Sequence, residues 1–360
     1  MENQHFHGGV GGKIVSQMHI WQERGHSARL FVPSPDHFQA DDIDVFPYTT
    51  NVKLPVLKSI SRIMARSKAA SRLVDAVRRF KPDLIYLRYG RYTWPLDRIA
   101  HIAPMVVEIN SDDLNESRLY GRFLYWSNRF TRSIFLKKAA GLIAVSHEIG
   151  ELPANKQYSI PICVVSNGID LEQYTPLLAP KNETPAITLV GKPNLWHGIE
   201  KLVPLAERYP DLTINIVGYT AQEFTDPVPS NFHLLGFLHR DQVKEVLRVS
   251  DAAFGTLALH RKQMEEASPL KVREAAAHGI PLILGYQDTD LSDIRSDCIL
   301  QIPNTEDNVE RYAEQIHEFA YNMRGRRLGS DVAAIIDQKR KEDIRLAFFE
   351  QIVRNAHKGS

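Results

Sequence analysis

The stretch E-A-S-P-L-K-V-R-E-A-A-A-H-G-I-P, Glu266 to Pro281, sets two carboxylates eight residues apart and leads a short helix into a strand. Pro269 suits a first helical turn, so Ser268 is expected to cap it, with Val272 to Ala277 helical and Pro281 to Leu284 extended. First-turn N–H groups lack intrahelical acceptors, so such an end favours a phosphate or a polar sugar edge. Glu266 lies before the cap and Glu274 about two turns inside, so the two acids are not i,i+4 surface neighbours. On these residues alone, an amphipathic helix with two solvated glutamates reads equally well.

Strand-like runs recur around this stretch, at Ala186 to Val190, Leu212 to Val217, His233 to Leu235, Ala252 to Thr256, Pro281 to Leu284 and Cys298 to Ile302. The first half has the same rhythm, with strands at Ala28 to Val32, Asp83 to Leu87, Met105 to Ile109, Gly141 to Val145 and Ile162 to Val165. Helical patterns run from Lys13 to Arg24, Ser59 to Phe80 and Arg122 to Lys138. Such alternation implies α/β domains with parallel sheets covered on both faces. Thr175 to Pro185 holds three prolines and no hydrophobic period, the mark of a linker. The expected division is therefore 1–170, a linker 171–185, and 186–338, with 339–360 as a terminal helix that crosses back to the first domain.

At 360 residues the chain is too long for one ordinary domain, and 43% hydrophobic with 24% charged residues is a globular enzyme's composition. A net charge of +1 selects no nucleic-acid partner. Cys163 and Cys298 sit in apolar runs with no paired spacing, as buried free thiols do in a reducing compartment. Without a long apolar stretch or a signal pattern, the expected location is cytoplasmic, at most peripheral to the inner face of the plasma membrane.

In open α/β sheets ligands sit beyond the carboxyl ends of the strands. Gly191 to His197, Gly218 to Tyr219, Gly236 to Arg240 and Leu257 to Lys271 are the segments so placed. In the first half, Glu108 to Glu116 and Ser146 to Glu148 follow strands and offer Asn110, Glu116 and His147 as an acceptor surface, or merely cap the next helix. Asp42-Ile43-Asp44 and Asp288-Thr289-Asp290 lie in loop-like polar runs, and no metal site is expected at either. Residues 53–81 hold nine basic side chains against the single acid Asp75. They read either as a solvated helix face or as a contact with an anionic membrane.

Several of these segments together resemble glycosyltransferase family 4, retaining enzymes of the GT-B fold with two facing Rossmann-like doubly wound domains and an interdomain cleft. Glu266 to Glu274 matches the family's E-x7-E, and Gly279-Ile280-Pro281 its G-x-P. Ser166-Asn167-Gly168-Ile169-Asp170 with Tyr174 and Pro176 matches its S-N-G-[IV]-D signature, and Gly8-Gly9 followed by Gly25-His26 its first-domain pattern. The resemblance implies that Glu274 holds the ribose hydroxyls. Glu266 would lie beside the donor sugar, and Ser268, Pro269, Leu270 and Lys271 beside sugar and phosphates. The run containing Gly236 and Leu238 would face the nucleobase.

The chain departs from the family twice. Where the family has G-R-x4-K-G, it has Gly191-Lys192-Pro193-Asn194-Leu195-Trp196-His197-Gly198. Lys192 brings a point charge without arginine's fork, and His197 replaces a lysine, so Lys271 and Arg261 or Lys262 would supply the missing charge. The family also has a buried strand before the Gly-Gly loop, whereas only seven residues precede Gly8, and a first strand is expected to be lacking. His5 and His7 would then line the cleft or belong to a loose terminus.

The implied reaction moves a hexose, glucose as first choice, from a UDP-sugar such as UDP-glucose to a hydroxyl of a glycan or lipid-linked acceptor, in polysaccharide assembly. No cofactor or metal is implied. A nucleotide-sugar epimerase on the same scaffold, or a non-catalytic binding relic, are the alternatives.

Overall fold

The computed structural model describes residues 9–35, 42–48, 55–90 and 92–358. Two compact units form, one of residues 1–165 with 342–360, the other of residues 166–341. The proline-rich segment 171–185 belongs to the second unit, where Leu177 N donates to His278 O at 3.0 Å and Arg327 donates to Leu177 O and Leu178 O.

In the second unit, strands β7 (Ala186–Val190), β8 (Thr213–Val217), β9 (Phe232–Gly236), β10 (Ala252–Phe254), β12 (Leu282–Leu284) and β14 (Ile299–Gln301) make one parallel sheet. Their order is β14-β12-β10-β7-β8-β9. The central strands β7, β10 and β12 are buried almost throughout, as for a sheet covered on both faces, while the edge strands β9 and β14 are partly exposed. The order reverses between β7 and β10, and at such a switch the segments leaving the two strands diverge and open a pocket at their carboxyl ends. A small parallel pair, β11 (Glu266–Ala267) with β13 (Gln287–Asp288), pins the segment ahead of helix Leu270–Ala277. Sequence patterning missed this pair, because Asp288-Thr289-Asp290 was expected in a loop.

In the first unit, β3 (Ile85–Arg88), β4 (Met105–Ile109), β5 (Gly141–Ala144) and β6 (Ile162–Val164) pair in parallel. β1 (Leu30–Ser34) and β2 (Ile43–Pro47) form a separate parallel pair. Asp42-Ile43-Asp44 therefore enters a strand rather than a loop. Helix α1 (Gly9–Glu23) begins inside the glycine run, earlier than expected, and α2 (Pro55–Phe80) covers the long basic segment. Gly8, His5, His7 and Lys53 lie outside the described residues.

The two sheets of this unit are separated by a cavity of about 1060 Å³, lined on one side by Leu30 to Pro33 of β1 and on the other by Ile85 to Arg88 of β3. Protein interiors seldom hold voids larger than a water molecule. Among the described residues, β1 and β3 are edge strands facing one gap, with no strand paired to their outer backbone groups. Glu342–Ser360 belongs to this unit, and Phe348, Phe349 and Ile352 pack on Val106, Ile143 and Val165. Gly141 permits that approach, since a Cβ there would lie 2.9 Å from Phe348 Cζ and Ile352 Cδ1.

A buried charge cluster borders the cavity. Glu108 accepts from Arg88 at 2.6 Å, from Lys13 at 3.5 Å and from the Tyr86 hydroxyl. Glu342 accepts from Gln17 at 3.0 Å, Trp21 at 2.8 Å and Arg345 at 2.5 Å. Burial alone would raise the Glu108 pKa, but Lys13, Arg345 and Arg88 hold it well below the carboxylate range. Burial brings Lys13 down to about 8 against the pull of Glu108. Glu108, the first residue of the segment expected to form an acceptor surface, is thus committed to cations.

Candidate active site

The segment before helix Leu270–Ala277 is fixed from three directions. β11 pairs Glu266 with Gln287 and Ala267 with Asp288. Ser268 is buried, and its Oγ accepts from Asn167 N at 2.9 Å and Arg273 Nη2 at 2.8 Å. Asn167 Nδ2 donates to Ser268 O at 2.6 Å. The expected Ser268 cap is therefore not made. Pro269 takes the N-cap position with extended φ −75° and ψ 133°, no side chain caps the helix, and the Ser268 hydroxyl is used elsewhere.

Arg273 joins the two motifs. Fully buried, it donates to Asn167 O at 2.9 Å, Asp288 Oδ2 at 2.7 Å, Asp290 Oδ2 at 2.8 Å and Ser268 Oγ at 2.8 Å. Asp290 also receives Ser166 Oγ at 2.8 Å and Lys341 Nζ at 2.5 Å. The carboxylates of this D-x-D are thus occupied by cations. Asp44 likewise holds Arg29 at 2.8 Å, and Asp42 accepts from Gln22 at 2.9 Å. No cluster of metal-ligating side chains occurs among the described residues.

With Ser268 and Arg273 anchored, the helix start presents its open face. Among the described residues, the backbone N–H groups of Leu270 and Lys271 have no acceptor, and neither has the buried Lys271 Nζ. A buried ammonium without a partner carries the full cost of desolvation. Burial accordingly lowers the Lys271 pKa to about 7. An anion placed there would remove that cost. Glu274 is half-buried about one turn on, its pKa raised by burial and held back by Arg240.

The loop after β7 lies against this helix start. The His197 imidazole is buried beside Gly191, where a Cβ would sit 2.4 Å from its Cε1, so residue 191 must lack a side chain. Gly218, at φ +93°, is equally constrained, because a Cβ would meet Gly191 O at 2.1 Å. Burial first, and then the charges of Lys271 and Lys262, bring the His197 pKa down to about 2. The ring therefore stays neutral and offers a hydrogen bond without charge.

Tyr219, which the sequence placed only within a strand-end segment, sets the tautomer of that ring. Its hydroxyl lies 2.8 Å from His197 Nδ1, accepts from Asn194 N at 3.0 Å and lies 3.2 Å from Lys192 O. The hydroxyl has one proton. Given to Nδ1, it leaves Nε2 as an N–H donor; given to Lys192 O, it makes Nε2 an acceptor. An oxyanion selects the first arrangement.

Lys192 is exposed on the same loop. Arg261, expected to add charge here, is instead held by Glu200 at 2.5 Å and by Glu306. Lys262 is buried, its ammonium 4.3 Å from the Trp196 ring centroid. Gly236 N donates to Tyr219 O at 2.9 Å and its carbonyl accepts from Gly218 N at 2.6 Å. The backbone of Phe237 and Leu238 has no partner among the described residues, whereas that of Gly236 is used within the unit.

The remaining site candidates belong to the first unit. Gly9 starts α1 at φ +56°. Among the described residues, both amide atoms of Asn110 are buried without partners. Glu116 accepts from Ser111 Oγ at 2.5 Å within helix α3 (Asp113–Leu119), which Asp112 caps. His147 is exposed and opens the short helix His147–Glu151 capped by Ser146. Both acceptor-surface segments thus cap helices, and Asn110 alone keeps an idle polar side chain.

Residues 7–173 match the family profile Glycosyltransferase Family 4. No curated protein matches the chain significantly. Among solved structures, a glycosyltransferase from Rickettsia africae ESF-5 is similar at TM-score 0.62 and 14% identity, over 97% of this chain and 96% of that one. The apo lipopolysaccharide outer core galactosyltransferase WaaB aligns at TM-score 0.61 and 13% identity, over 95% and 97%. Anabaena Alr3699/HepE, solved with UDP-glucose, aligns at 0.60 and 13%, over 99% and 98%. The fold class is GT-B. Residues 7–173 are thus similar to glycosyltransferase family 4, and the whole chain shares the fold of these glycosyltransferases.

Proposed function

We propose that this protein transfers a hexose, glucose as first choice, from a UDP-sugar to a hydroxyl of a glycan or lipid-linked acceptor, with the anomeric configuration kept. The observation that carries the reading is Lys271, a buried ammonium without a partner, set in a helix start with two idle N–H groups and beside a neutral His197. These donors stand ready for the charge that develops on the departing diphosphate. The bond from C1 to the diphosphate oxygen breaks, the acceptor oxygen bonds to C1 from the same face, and its proton passes to the leaving phosphate. Glu266 would position the sugar, Glu274 the ribose hydroxyls and the Phe237–Leu238 backbone the base. Alr3699/HepE, of the same fold, was solved with UDP-glucose, which supports the choice of donor. A cytoplasmic site of action in envelope or exopolysaccharide assembly fits this substrate class.

The test is to incubate the protein with a panel of nucleotide sugars and acceptors, following free nucleoside diphosphate and calorimetric UDP binding. Glu266→Gln should cut turnover by roughly 10²-fold or more while UDP affinity stays within about twofold. Unchanged sugar transfer in that variant would sink the assignment of Glu266.

A further inference from the structure

Helix α4 (Arg122–Leu136) of the first unit buries Arg132, Phe135 and Leu136 and turns Phe123, Trp126 and Phe130 outward. Phe123 is 87% exposed, Trp126 60% and Phe130 77%, and the preceding turn adds Leu119 and Tyr120 at 46% and 66%. Positions 123, 126 and 130 recur every three or four residues within α4, so they form one stripe along the helix. Scattered apolar residues on a surface need no explanation, but a continuous aromatic stripe does.

Charge indicates what covers it. From Arg118 to Leu136 the sequence has no acidic residue, while Arg118, Arg122 and Arg129 occur there. Arg132 of the same helix is consumed inside, by Asp113 at 3.1 Å and by Ala154 O at 2.7 Å. Arg118 and Arg129 instead hydrogen-bond the neutral Tyr125 hydroxyl at 3.1 and 3.3 Å, and among the described residues none of Arg118, Arg122 and Arg129 forms an ion pair. Aromatic rings that seat at the headgroup level, flanked by cations and free of carboxylates, match an anionic bilayer surface.

The basic helix α2 is the weaker candidate. Ile60, Ile63 and Met64 are exposed there, but Arg72 donates to Pro47 O, Arg78 pairs with Asp75 and Arg66 stacks on Tyr48. Much of its charge is spent within the unit.

We propose that the α4 stripe docks this protein on an anionic phospholipid membrane, with Phe123, Trp126 and Phe130 seated among the headgroups and Arg122 and Arg129 on lipid phosphates. The inference does not depend on the sugar chemistry. It is tested by flotation with phosphatidylcholine vesicles with and without about 30% phosphatidylglycerol. The wild type should float with the anionic vesicles, less so at high salt, and Trp126 emission should shift to the blue, a change that Trp126→Phe removes.

A Phe123→Ser, Trp126→Ser, Phe130→Ser variant should lose at least about tenfold in binding with unchanged circular dichroism. Arg122→Gln with Arg129→Gln should lose the salt dependence. An Ile63→Ser, Met64→Ser control on α2 should bind as the wild type. Flotation undiminished in the aromatic triple variant, loss confined to the α2 control, equal binding to neutral vesicles, or concentration-dependent self-association through the stripe in place of flotation would each overturn the proposal.

Discussion

The Arg273 guanidinium and the Asp288 carboxylate meet at 2.7 Å with both side chains fully buried, and the same guanidinium reaches Asp290, Ser268 and Asn167. Because the two aspartates neutralise an internal cation, they are not available to a metal. Transfer should therefore be unchanged by excess chelator or by added manganese. Arg273→Lys, which keeps the charge but not the fork, should cost about 3–5 kcal/mol in denaturant unfolding. Chelator-sensitive transfer restored by manganese would contradict this reading.

Much of this site is legible in the sequence, with a limit set by distance along the chain. The spacing of Glu266 and Glu274 and the strands around them follow from local patterns, which is why the six strands of the second unit's main sheet are readable in order. Arg273 looks like an ordinary helix residue until Asn167 and Asp288 fold onto it from remote segments. Tyr219 reads as a buried strand end, and only the tertiary contact with His197 gives its hydroxyl a task. In α4, helical periodicity was visible, but which aromatic residues faced inward depended on packing that sequence does not record. β2 was missed because Asp42 and Asp44 make its start look like a loop.

Gly191 and His197 are mutually dependent, because a methyl group at 191 would fall 2.4 Å from the ring. Gly191→Ala should displace the imidazole and lower turnover by roughly 10²-fold, with UDP binding weakened and the thermal midpoint little changed, since the loop lies beyond the carboxyl end of β7 rather than within the sheet. Parallel calorimetry and turnover measurements check this.

Glu108 faces Lys13, Arg88 and Arg345, and with Glu342 it is the counter-charge of that cluster. Glu108→Gln leaves buried cations under-compensated and should destabilise the protein by about 3–5 kcal/mol. Its depressed pKa also fixes the pH trend. The stabilisation is present above the ordinary carboxylate pKa and is lost as pH falls below it toward the folded value. The gap in denaturation midpoint between wild type and variant should thus narrow in acid.

Edge strands beside the cavity of about 1060 Å³ have fewer neighbours than β4 and β5. Local opening costs least where contacts are few. Backbone amides of β1 and β3 should exchange with deuterium at least about tenfold faster than those of Met105–Ile109. Equal protection across these strands would show that the gap is closed in solution.

Lys271 gives the sharpest pH signature. Burial lowers its pKa to about 7 from 10.5, so between those values the folded protein binds fewer protons than the unfolded chain. The ammonium therefore subtracts stability below about pH 7, and the penalty fades as pH rises through that window. Lys271→Met removes it, and should raise the thermal midpoint more at about pH 6 than at about pH 9. Binding runs the other way, because a diphosphate requires the charged amine. UDP affinity should fall by up to about tenfold per pH unit above 7, with proton uptake detectable as a buffer-dependent heat. In Lys271→Met the affinity should be weaker at neutral pH and this dependence flat. If the variant binds UDP as tightly as the wild type at pH near 7, the orphaned ammonium is not the diphosphate's partner.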